Sequence, residues 1–221
     1  MANLIQYAKA PSTDKPTDEP DEPTVEPDEP GTTPDVPTEK GFVDLDNHAW
    51  ATDAINYLAD EGIIKGTSET TFSPASNITR ADYAILLVRA FELESEDAEN
   101  FADVNESDYF AEELAVARNT GIVGGIGDNK YAPRDTITRQ DMMVILYRAL
   151  VKMGIELKPI EGVDVTTYTD YSDVADYAKE AVKALVEAGL VNGKGESLAG
   201  SDFTTRAEVA VLLKRVLNYI K

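Results

Sequence analysis

Apolar residues recur at steps of three and four in six stretches of this chain, a pattern that predicts helices. Three of the stretches are amphipathic and cover about residues 49–61, 109–120 and 176–188. Their apolar positions are Ala51, Ala54, Ile55 and Leu58, then Leu114, Ala115 and Ala117, then Ala178, Ala181, Val182 and Leu185. Each predicts a helix with one buried face. The other three are apolar on most sides: Ala84 to Val88 with Ala90 and Phe91, Met142 to Leu146, and Val209 to Leu213. A helix that is apolar nearly all round belongs at the centre of a fold. The pattern therefore predicts an all-α protein of three helix-loop-helix units, with a pseudo-threefold three-helix core and the shorter helices and loops outside it.

The units are copies of one another. Ile78-Thr79-Arg80-Ala81-Asp82, Ile137-Thr138-Arg139-Gln140-Asp141 and Thr204-Thr205-Arg206-Ala207-Glu208 open the three apolar helices. Each arginine lies 38 residues after the aromatic of an F/Y-x-D triplet, which begins at Phe42, Phe101 or Tyr168. Tandem repetition at this period sets the domain reading: residues 41–98, 99–160 and 161–221 form one repeat each. The segments between copies, 92–100 and 152–167, are polar or irregular and read as surface connections.

Local chemistry divides the repeated residues. Thr79, Thr138 and Thr205 are suited to cap their helices, with Asp82, Asp141 and Glu208 three residues on, as in a capping box. Arg80, Arg139 and Arg206 fall at the first helical position, where the helix dipole disfavours a cation. They can pair with Asp44, Asp103 and Asp170 of the triplets, or present a guanidinium to an external anion beside free helix amides. Arg89, Arg148 and Arg215 recur near the end of the same helices, where a cation is favoured and no ligand is required. The short helices end near Gly62, Gly121 and Gly189, and a second glycine follows four later, at Gly66, Gly125 and Gly193. The first glycine suits a left-handed helix end. The second has the better claim to a ligand, because a missing side chain lets another molecule approach the backbone. Trp50, Tyr109 and Tyr177 open the short helices and can either anchor the core or stack on a flat apolar surface.

Composition narrows the functions. The net charge is −21 over 221 residues, and residues 1–40 hold ten acids against three lysines. Binding nucleic acid requires clustered Lys and Arg, so no nucleic-acid partner is expected. No cysteine and a single histidine, His48, argue against a thiolate or zinc site. Asp44-Leu45-Asp46-Asn47 lacks the glycine and terminal glutamate of a calcium loop. No metal, cofactor or catalytic residue is expected. Paired carboxylates are abundant, yet none shows a sign of the raised pKa that a glycosidase's general acid requires. No run of about 20 apolar residues exists, so no membrane insertion is expected. Residues 11–40 hold eight of the eleven prolines among Thr, Asp and Glu, so residues 1–40 read as an extended linker to upstream modules of a longer chain.

Taken together, the F-x-D openings, the turns Gly62-Ile-Ile-Lys-Gly66, Gly121-Ile-Val-Gly-Gly125 and Gly189-Leu-Val-Asn-Gly193, the loops Phe72-Ser-Pro74 and Tyr131-Ala-Pro133, and the T-R-A-E-like phrases resemble the S-layer homology domain family over residues 42–221. Leu198-Ala-Gly200 departs from the loop pattern, and only the third phrase has the family's wording. The resemblance implies a pseudo-trimer with outer prongs at the cell wall or S-layer of a bacterium. It implies non-covalent anchoring through secondary cell-wall polysaccharide, often pyruvylated, bound in grooves between repeats. Arg80, Arg139 and Arg206 would then meet a carboxylate, the second glycines' amides would hold ring hydroxyls, and the aromatics would pack on sugar rings. Asp44, Asp103 and Asp170 would orient the arginines or accept hydroxyls. A protein-interaction module of the surface layer, without glycan binding, is the alternative.

Overall fold

The threonines of the repeated phrase start the second helix of each repeat in the computed structural model, which describes residues 41–97 and 99–221. The linker expected over residues 1–40 lies outside the described residues. The helices are α1 (Ala49–Asp60), α2 (Arg80–Ala90), α3 (Ala111–Asn119), α4 (Arg139–Lys152), α5 (Lys179–Glu187) and α6 (Arg206–Ile220). No strand occurs among the described residues, which are all-α. The hydroxyls of Thr79, Thr138 and Thr205 accept from the amides of Asp82, Asp141 and Glu208 at 3.1, 3.3 and 3.3 Å. Each such cap stabilises its helix by about 1 kcal/mol. Only Glu208 completes the box, accepting the Thr205 amide at 2.9 Å. Asp82 and Asp141 are one methylene shorter and do not take the threonine amide; Asp82 accepts the Thr79 hydroxyl at 2.8 Å instead, and both have a further partner described below.

The short helices α3 and α5 start later than their apolar pattern predicts. Phe110 and Ala178 precede them and offer no side-chain cap, and Asp176–Ala178 forms a single 3-10 turn instead. The first helix of each repeat, α1, α3 or α5, runs into a left-handed glycine, Gly62, Gly121 or Gly189, at φ of 71, 80 and 70°; α1, with 12 residues, is not shorter than α2, with 11, contrary to the expectation. An L side chain would be strained there, and glycine is not.

Each first helix packs against the second helix of another repeat: α3 on α2, α5 on α4, and α1 on α6. The first repeat's first helix thus covers the last repeat's second helix, and the three repeats close into a ring. The second helices begin around one point. There the Ile78 amide donates to the Thr204 carbonyl (3.0 Å), the Thr204 amide to Ile137 (3.3 Å), and the Ile137 amide to Ile78 (3.1 Å). This triangle of backbone bonds marks the pseudo-threefold axis. It buries Ile78, Ile137 and Thr204 almost completely, and the Thr204 hydroxyl is taken up by Glu208 at 3.3 Å. The core continues along α2 through Tyr83, Ala84 and Leu87, along α4 through Met143, Leu146 and Leu150, and along α6 through Val209, Leu213 and Val216.

Candidate functional site

The repeated aspartates do not pair with the arginines directly. Each carboxylate instead accepts two successive backbone amides of the loop 28 and 29 residues downstream. Asp44 takes Phe72 and Ser73 at 2.9 and 2.7 Å, Asp103 takes Tyr131 and Ala132 at 2.9 and 2.8 Å, and Asp170 takes Leu198 and Ala199 at 2.7 and 2.8 Å. The second residue of each pair sits at positive φ, 58, 55 and 53°. For a non-glycine residue this costs roughly 1–2 kcal/mol, which the two charge-assisted bonds offset. Burial pulls the Asp44 carboxyl up, but the Phe72 and Ser73 amides outweigh it and leave it below the ordinary carboxylate value. The same balance holds Asp103 and Asp170 down, with the Ser197 hydroxyl adding to the pull at Asp170. A depressed Asp103 is the opposite of what a glycosidase's general acid needs.

The held loop then receives an arginine from another repeat. The Nε of Arg206 donates to the Phe72 carbonyl at 2.8 Å, that of Arg80 to Tyr131 at 2.9 Å, and that of Arg139 to Leu198 at 3.2 Å. Arg80 and Arg206 also lie over the rings of Tyr131 and Phe72, 4.6 and 4.5 Å from their centroids. Leu198 supplies no ring to Arg139, yet the third loop keeps its backbone bonds. Gly200 accepts the Gln140 amide as Pro133 accepts Ala81 and Pro74 accepts Ala207. Further guanidinium donors go to Asn192 from Arg139 (3.2 Å) and to Lys65 from Arg206 (2.8 Å). The aspartates therefore orient the arginines through a loop rather than by contact, and they line none of the grooves.

Three grooves lie beside these arginines, each lined by all three repeats in cyclic order. The first, about 340 Å³, joins Arg206 to Lys65, Gly66, Asp82, Arg89 and Tyr109. The second, about 400 Å³, joins Arg80 to Gly124, Gly125, Asp141, Arg148 and Tyr177. The third, about 160 Å³, joins Arg139 to Asn192, Gly193, Lys194, Glu208, Arg215 and Trp50. A larger concavity of about 580 Å³, lined by Glu94, Glu96, Glu112 and Glu113, carries the opposite sign and none of the repeated residues.

The aromatics stand at the groove edges. Trp50, Tyr109 and Tyr177 are 58, 66 and 60 % exposed, which removes the core-anchor role. The Tyr109 hydroxyl donates to Asp82 at 2.8 Å and that of Tyr177 to Asp141 at 2.7 Å, so the acids too short to close a capping box are used across a repeat boundary. Burial and then the adjacent carboxylate push each phenol up to about 12. In the third groove Trp50 has no hydroxyl, and Glu208 folds back on the helix start and meets Lys194 at 3.1 Å. Burial raises the Glu208 carboxyl, but the Thr205 amide and Lys194 bring it below its ordinary value. Looser contacts at 3.8 Å join Arg80 to Asp141 and Arg139 to Glu208.

Gly66, Gly125 and Gly193 line their grooves, but the space each leaves is filled from inside its own repeat. A Cβ on Gly66 would come 2.5 Å from the Phe42 ring, one on Gly125 2.6 Å from the Lys130 carbonyl, and one on Gly193 2.3 Å from the Tyr168 ring. The opening aromatic and carbonyls of the same loop crowd each glycine on its inner side, and the glycine's backbone lines the groove on the other.

Arg89, Arg148 and Arg215 are the groove residues that the helix-dipole argument set aside. Each comes nine residues after a phrase arginine, and nine residues at 100° per residue place it on the opposite side of the helix. The two arginines of one helix therefore serve two different grooves. That invariant spacing was the available signal.

Among the described residues, no helix is long and apolar enough to cross a membrane. A model of the S-layer homology domain matches residues 41–84, 100–143 and 167–210. The chain is 32% identical over 182 residues to an amylopullulanase of Thermoanaerobacterium thermosulfurigenes, covering 81% of this chain and 10% of that protein. It is 29% identical over 175 residues to the surface-layer 125 kDa protein of Lysinibacillus sphaericus (77% of this chain, 14% of that one). It is also 29% identical over 178 residues to the S-layer protein sap of Bacillus anthracis (80% and 21%). The chain thus spans between a tenth and about a fifth of the length of these relatives. With three matched repeats in a closed ring, the chain belongs to the S-layer homology domain family, whose modules anchor S-layer proteins and cell-surface enzymes to the cell wall.

Proposed function

We propose that the three grooves bind secondary cell-wall polysaccharide, with a ketal-linked pyruvate on a sugar as the favoured epitope, and that this binding holds a larger surface protein to the bacterial envelope without a covalent bond. One observation carries the reading. The ring brings the same set to every groove from three different repeats: two arginines, an acid, and an exposed aromatic. A planar guanidinium suits a carboxylate, an acid accepts sugar hydroxyls, and an exposed ring packs against a sugar's C–H face. Other modules of the same longer chain would be the cargo, and residues 1–40 the spacer between them and the ring.

The test is co-sedimentation of the full chain with purified cell-wall polysaccharide, alongside pull-down on purified surface-layer protein. Retention by the polymer alone supports glycan anchoring. Retention by protein alone replaces it with an assembly role.

A further inference from the structure

Building on the glycan reading, we infer that the three grooves are unequal, that the second groove, the one lined by Arg80, Arg148 and Tyr177, is the tightest carboxylate site, and that Arg148 grips the anion there in place of the phrase arginine. The phrase arginines are largely committed to the fold. Each gives its Nε to a carbonyl of another repeat, and the side chains of Arg80 and Arg139 are only 13 and 8 % exposed. The second arginine of each groove is the remaining cation, and the three differ in what they already hold.

In the first groove Arg89 is neutralised. Glu113 of α3 takes its Nε at 3.2 Å and its Nη2 at 2.6 Å, the fork an incoming carboxylate would need. Glu113 lies four residues after Tyr109; the residues four after Tyr177 and Trp50 are Ala181 and Ala54. The other two grooves therefore lack that competitor. In the third groove Arg215 donates to the Leu190 carbonyl at 2.8 Å, Lys194 is held by Glu208, and the cavity is the smallest of the three, about 160 Å³. In the second groove Arg148 is exposed and has no hydrogen bond or ion pair among the described residues. Its neighbour is Gly124, where the other copies carry Lys65 and Asn192. Even a Cβ there would lie 3.5 Å from the Arg148 Nη1, so the floor beside the guanidinium is bare backbone. Two parallel N–H groups can then meet both oxygens of a carboxylate, with Tyr177 and Asp141 across the groove for the sugar.

The experiment is calorimetric titration of the full chain with a methyl hexoside carrying a ketal-linked pyruvate, and with the same hexoside lacking it. Arg148→Gln is expected to weaken the tightest site about tenfold or more, with an unchanged melting temperature. Arg148→Lys should recover only part of the loss, and Arg89→Gln should leave the tightest site within about twofold. Glu113→Gln should strengthen binding at the first groove by freeing Arg89. In a parallel amide NMR titration, Gly124 and Gly125 should shift at the lowest ligand concentration. A wild-type response in Arg148→Gln, or an equal loss in Arg89→Gln, overturns the ranking while leaving glycan binding standing. If the unaltered chain binds both hexosides alike, or neither, the carboxylate reading falls, and this inference falls with it.

Discussion

A single aspartate in each repeat sets the position of an arginine that it never touches. Asp103 fixes two amides, the fixed loop turns the Tyr131 carbonyl outward, and that carbonyl takes the Arg80 Nε. Asp103→Ala is therefore expected to lower stability by about 2 kcal/mol, the usual scale for hydrogen bonds to a charged group, as read by urea unfolding. It should also weaken binding at the second groove only. Asp44, Asp103 and Asp170 are all held below their unfolded carboxyl values, so their contribution is present above about pH 4 and fades as pH falls through the lower folded values. Acid titration of stability should show a loss below that point, and Asp103→Asn should flatten it. The phenols behave in the opposite sense. With Tyr109 and Tyr177 raised to about 12, the stability they contribute is present below about pH 10 and is lost as pH rises through 12. Ultraviolet titration should find two tyrosines ionising near 12, and Asp82→Asn with Asp141→Asn should bring both down.

Helices and turns were largely legible from periodicity, because threonine caps, left-handed glycines and all-round apolar helices each depend on local physics. What periodicity cannot supply is the neighbour. The buried face of α1 is visible in Ala51, Ile55 and Leu58, but nothing in those residues says that α6 covers it. The grooves lie between elements joined in this way, so their membership was only half visible. Arg80, Arg139, Arg206 and the three aromatics could be identified from recurrence. Arg148 recurs as well, with Arg89 and Arg215, but its position near a helix end already had a sufficient electrostatic reason, so recurrence did not mark it as a groove residue. The crowding at the second glycines was hidden for a related reason: besides carbonyls of their own loops, it comes from Phe42, Phe101 and Tyr168, some 25 residues away in sequence. Gly193→Ala should consequently destabilise the chain more than Thr205→Ala, whose cap is worth about 1 kcal/mol. The added methyl would meet both the Tyr168 ring and the Ser197 carbonyl (2.5 Å), and that backbone oxygen cannot swing aside. Thermal melts of the two variants compare the costs directly.

Ring closure governs the whole molecule. In an open array of repeats, each unit leans only on its neighbours, and ends fray independently. Here the first repeat covers the last, and the axial triangle needs Ile78, Ile137 and Thr204 together. Removing residues 161–221 should therefore abolish the cooperative thermal transition rather than leave two stable repeats, as circular dichroism would show. Charge acts at the same scale. A chain at −21 repels an acidic polymer at long range, so attraction must arise inside the grooves, within a screening length of about 8 Å at physiological salt. The most direct measurement is calorimetry of the full chain with purified cell-wall polysaccharide, before and after removal of its pyruvate, at low and at physiological salt. The expected result is binding that needs the pyruvate and is unchanged or improved by salt. Binding indifferent to pyruvate, or lost steeply as salt rises, would contradict recognition of a carboxylate by guanidinium groups in sheltered grooves.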